Sequence, residues 1–74
     1  MTLLTKPGCH LCDDARAVIA SVCAELDVGW AERDITADAE DFRRYADSIP
    51  VTLVDGHEHD FLRVSADRLR RALT

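Results

Sequence analysis

A chain of 74 residues that is 47% hydrophobic, with one Trp, one Tyr and two Phe, is a single small domain (1–74) with an aliphatic core and a thin margin of burial. Its net charge of −5 argues against nucleic acid or an anionic membrane as partner, and no apolar run approaches the roughly 20 residues of a spanning helix. Three cysteines are an odd count for a secreted, disulfide-stapled fold, and no basic stretch leads into an apolar core at the N-terminus. No secretory leader is therefore expected, and a reduced, cytoplasmic compartment fits best.

Met1–Thr5 reads as a short strand closed by Lys6-Pro7-Gly8. From His10 to about Leu26 the apolar positions Cys12, Ala15, Ile19, Val22 and Leu26 recur at three- and four-residue steps. Val18 and Cys23 widen that stripe, and the pattern predicts an amphipathic helix. Gly29 stands where a helix stop is expected. Gly29–Ile35 is expected as a second strand, resting on Trp30 and Ile35.

Thr36 is placed to cap a second helix with Asp38, Glu40 and Asp41 in its first turns. Its expected apolar stripe is Ala39, Phe42, Ala46 and Ile49. Pro50 ends the helix and holds Ile49 out of the α region. Val51–Val54 reads as a buried strand, Asp55-Gly56 as a hairpin turn and His57–Val64 as the returning strand. Ser65 is expected to cap a last helix whose stripe is Ala66, Leu69 and Leu73. The order is β-α-β-α-β-β-α.

The chemistry concentrates in Cys9-His10-Leu11-Cys12. A two-residue spacer puts both sulfurs in the first turn of a helix beginning there, where unpaired backbone N–H groups and the helix dipole favour a thiolate. Cys9 is the expected nucleophile, and Cys12, one turn inward, the resolving thiol. His10, when protonated, favours the thiolate, while Asp13 and Asp14 act against it. Cys23 reads as a small buried hydrophobe on the same stripe. His57 and His59 share a strand face around Glu58; chelation is geometrically open, but exposed edge-strand polar groups are the plainer expectation.

The element order, the C-x-x-C at the first helix and a proline opening the third strand together resemble the thioredoxin fold. More narrowly, the chain resembles the short glutaredoxin-like proteins. The resemblance rests on Thr5-Lys6-Pro7-Gly8-Cys9-His10-Leu11-Cys12, on Arg44-Tyr45 followed by Ser48-Ile49-Pro50-Val51, and on Asp55-Gly56. It implies an α/β thioredoxin fold with a four-stranded mixed sheet flanked by three helices, and thiol–disulfide oxidoreductase activity on protein or small-thiol disulfides. It also implies a cis Ile49-Pro50 bond packed against the dithiol, with Ser48 and Ile49 beside bound substrate. Lys6 then matches the basic residue near the thiolate and the glutathione carboxylate, and His10 and Leu11 set the redox poise.

Glutaredoxins that grip glutathione carry Gly-Gly and then an acidic residue before the last helix. Here Asp60-Phe61-Leu62-Arg63 stands in that neighbourhood, and Asp67 is the acidic candidate. No tightly bound cofactor is expected; the reductant is glutathione, another low-molecular-weight thiol, or a protein. A monomer is expected. Two other readings stay open: a redox-silent adaptor of the same fold, and a metal or iron–sulfur module using the same cysteines, for which a structural zinc site lacks its second ligand pair.

Overall fold

In the computed structural model, which describes residues 1–61 and 63–74, the central strand β1 (Thr2–Thr5) sets the layers. Successive side chains of a strand point to opposite faces, so Leu3 and Leu4, both fully buried, enter two different cores. β1 pairs in parallel with β2 (Ala31–Asp34) and antiparallel with β3 (Val51–Val54). β3 pairs antiparallel with β4 (His57–Phe61), giving the order β2-β1-β3-β4. With helices α1 (His10–Leu26), α2 (Ala39–Tyr45) and α3 (Ala66–Leu73), this is the mixed α/β thioredoxin fold that the sequence implied.

α1 buries the expected stripe of Cys12, Ala15, Ile19, Val22 and Cys23. It stops at Asp27, not at Gly29: Asp27 adopts the left-handed conformation, and the Val28 N–H reaches back to the Cys23 carbonyl at 2.9 Å. A short polar side chain tolerates that conformation, so no glycine is needed there. The second strand is shorter than expected and exposed along its length. Ile35 leaves it for a 3-10 turn (Ile35–Ala37), where it is completely buried.

That turn also corrects the expected helix start. Asp34 caps it, accepting from the Thr36 N–H at 2.8 Å. Asp38 then caps α2, accepting from the Glu40 and Asp41 N–H groups. Thr36 caps nothing. The seven-residue α2 turns Tyr45 into the core, with Ala46 and Ile49 following. Phe42, expected on that stripe, is 49% exposed, and Tyr45 takes the buried place on α2 instead.

The Asp55-Gly56 turn has positive φ at both residues, as a type I′ hairpin requires. β4 ends at Phe61, short of the expected Val64; Leu62 lies outside the described residues, and Arg63 and Val64 lie outside the strand. The β3–β4 register slips between Thr52 and Leu53, so Asp60 faces Thr52 and Glu58 faces Leu53. His59 is the extra residue of a β-bulge. Ser65 caps α3 as expected, accepting from the Arg68 N–H at 3.3 Å.

Candidate active site

β1 runs into Lys6-Pro7-Gly8, and Gly8 takes a positive φ of 75° that swings the chain into the start of α1. Glycine adopts this conformation at no steric cost. Cys9 is the N-cap residue of α1, extended and half-buried, and its Sγ accepts the Cys12 N–H at 3.2 Å. A sulfur in this position answers a backbone donor that the helix cannot itself satisfy. Cys12 is buried one turn later. Burial first, and then the hydrogen bond with Cys9, push its thiol up to about 11, against a backbone hydrogen bond from Lys6 that pulls it down. Near neutral pH Cys12 therefore keeps its proton.

Cys9 packs against the core cluster that holds Cys12, Tyr45 and Ile49. The Ile49–Pro50 bond is cis, as the resemblance implied, and the Pro50 side chain is fully buried. The Ser48 N–H donates to the Tyr45 carbonyl at 2.9 Å, which ties the end of α2 to the approach to Pro50. Cys9, Cys12 and Ile49 thus come together from three separate stretches of sequence logic: a turn, a helix start and a strand entry. Lys6 reaches the site through its backbone, with its side chain exposed. His10 is exposed in the first turn of α1.

Leu11 is half-buried and lines a groove of about 280 Å³ whose other walls include Val18 from α1 and Arg63 and Val64 before α3. Asp14 and Ala15 complete it. One wall was legible as residues 11, 14, 15 and 18 at helical spacing; the opposite wall has no local signal. Asp67 lies in the first turn of α3, 80% exposed and paired with Arg70 at 3.0 Å.

Cys23 is buried as expected, its thiol pushed up by desolvation, with Sγ 3.8 Å from Met1 Sδ. The expectation that His57 and His59 are both exposed holds for His57 only. The His59 side chain is 15% exposed, because the bulge turns it inward. Among the described residues no group of three or more His, Cys, Asp and Glu side chains is placed to hold a metal ion, and no helix is long and apolar enough to cross a membrane.

A mixed sheet of this order, with a C-x-x-C pair at the start of α1 and a cis proline opening β3, defines a thioredoxin-fold protein. The family model for the glutaredoxin-like domain (DUF836) matches residues 1–74, and the chain belongs to that family. It is 32% identical over 73 residues to uncharacterized proteins of Mycobacterium tuberculosis and Mycobacterium bovis, covering 92% of this chain and 75% of each relative. It is also similar to the X-ray structure of a structural-genomics target protein from X. campestris. That match has a TM-score of 0.78 and 32% identity over 97% of this chain and 92% of the other.

Proposed function

We propose that the chain is a thiol–disulfide oxidoreductase whose redox centre is Cys9 and Cys12. The observation that carries this reading is the asymmetry of the pair. Cys9 caps the helix with its sulfur on a backbone N–H, while Cys12 is buried and holds its proton. Such a pair supplies one nucleophile and one reserve thiol.

In the reaction, the Cys9 thiolate attacks one sulfur of a substrate disulfide. The new S–S bond forms as the old one breaks, and the leaving thiolate takes up a proton. Cys12 then attacks Cys9 Sγ, its proton passing to the second leaving sulfur. The substrate departs as two thiols, and Cys9–Cys12 is left as the disulfide. Two equivalents of glutathione or another low-molecular-weight thiol restore the dithiol and leave as their own disulfide.

Around that centre, Lys6 supplies positive charge for an anionic thiol, His10 presents an exposed imidazole in the first turn of α1, and Leu11 borders the substrate. Ser48, Ile49 and Pro50 form the wall behind it, and Asp67 is the acidic group for the small thiol. The substrate is a disulfide-containing protein or small thiol, met by a monomer in the cytoplasm, without nucleic acid or membrane.

The test is a redox titration in defined thiol buffers, with free thiols trapped by alkylation and intact mass read. A reversible loss of two hydrogens, at a potential in the range of roughly −200 to −270 mV, is expected. If no Cys9–Cys12 disulfide forms, the exchange mechanism fails. Cellular function that survives loss of both cysteines would identify an adaptor instead.

A further inference from the structure

The β-bulge in β4 places two consecutive side chains on one face. Strand alternation sends neighbours to opposite faces, yet both His59 and Asp60 turn toward α3. Asp60 Oδ1 accepts from Arg68 Nη1 at 2.9 Å, and His59 lines a concavity of about 350 Å³ with Arg68, Arg71 and Ala72. Bulges recur where a strand must re-aim a side chain.

The polar groups here are not closed among themselves. Among the described residues, His59 Nε2 and Asp60 Oδ2 are both buried without a hydrogen-bond partner, 4.0 Å apart. Such groups are few in folded proteins. Arg68 and Arg71, three residues apart, lie side by side on one helix face, where like charges repel. Arg70 between them is neutralised twice, by Glu25 and Asp67. Arg71 makes no ion pair among the described residues. Asp60 offsets one guanidinium, which leaves the concavity net positive on a chain whose total charge is −5.

We propose that this concavity is a binding site for a phosphate group, held by Arg71 and the free N–H groups of Arg68, with the His59 ring as its strand wall. Planar guanidinium forks match phosphate oxygens in pairs, and the volume admits a group larger than the phosphate itself. The site is built from β4 and α3, and it stands whether or not Cys9 is a nucleophile. Inorganic phosphate and a small phosphate monoester share the chemistry.

The test is an NMR titration of the isotope-labelled protein at constant ionic strength, with inorganic phosphate and separately with glycerol 3-phosphate replacing chloride. Saturable shifts centred on His59, Arg68 and Arg71 are expected, with binding at least tenfold weaker in Arg71→Ala. Arg71 is exposed and in no ion pair among the described residues, so this variant keeps its fold. Arg43→Ala, on α2, serves as the control and leaves binding unchanged. Tighter binding of the monoester assigns the site to an organic phosphate; equal binding assigns it to the phosphate group alone. Shifts that do not saturate, or affinity unchanged in Arg71→Ala, would overturn the proposal.

Discussion

Two cores of this molecule share one helix and differ in what they do with a cysteine. On one side of the sheet Cys12 sits with Leu4, Ile35, Tyr45 and Ile49, and Cys9 packs against that cluster. On the other, Cys23 sits with Leu3, Ile19, Val22 and Leu69. Both thiols are buried, and burial pushes both upward. What separates them is the neighbour. Cys12 has a second sulfur at the open end of a helix, whereas Cys23 has a thioether at 3.8 Å and aliphatic walls. On the proposed function, reactivity follows from the helix terminus and the partner sulfur, and burial alone gives an inert packing group.

The sharpest way to test that contrast is to remove each sulfur in turn. Cys9→Ser is expected to lose all disulfide exchange while its urea midpoint stays near that of the parent. Cys12→Ser should instead accumulate the mixed disulfide, read as an added substrate mass. Should Cys9→Ser keep full turnover, the two cores would not differ in the way described. Next in size, Ile19→Ala opens a cavity in the aliphatic core and should cost about 2–5 kcal/mol in urea unfolding. In a domain this small that is a large share of the total stability. Exchange activity should survive wherever the chain remains folded.

Cys23→Ser places a hydroxyl in the aliphatic cluster beside Met1 and should lose about 1–3 kcal/mol with activity retained. A pH series probes both thiols together. Each holds its proton more tightly folded than unfolded, so the folded state binds more protons once the unfolded thiols ionise. Stability should therefore be level below pH 9 and fall as pH rises toward about 11, the value for Cys12. Cys12→Ala should show a shallower fall. The smallest expected effect concerns Thr52, buried opposite Leu3 with its hydroxyl unpartnered among the described residues. Thr52→Val removes that group at nearly constant shape and should gain about 1 kcal/mol.

The two cores were not equally legible in the sequence. The aliphatic one is written in the 3.6-residue stripe of a 17-residue helix, which no local alternative contests. The dithiol, too, is contiguous and can be read directly. The stretch from Ile35 to Tyr45 could not be read so simply. Thr36 and Asp38 are both competent caps, and the choice between them follows from Ile35, which buries completely and forces a 3-10 turn ahead of α2. Phe42 and Tyr45 are both apolar candidates on one short helix, and only the tertiary position of its last turn decides which is covered. The bulge at His59 carries no glycine or proline to mark it. It exists only in the pairing of β4 with β3, so the inward turn of His59 could not be anticipated.

The outer strand β2 bears on how this sheet meets other sheets. Its Glu32 is held by Arg16 from α1, and its Arg33 by Asp41 from α2 at 3.0 Å. An unpaired strand edge offers a row of amides and carbonyls to any passing chain. Here an incoming strand would have to approach past charged side chains already tethered to the helices on either side. The same ion pairs that fasten the sheet's rim to its helices thus act as a fence against edge-to-edge stacking, the first step toward fibrils.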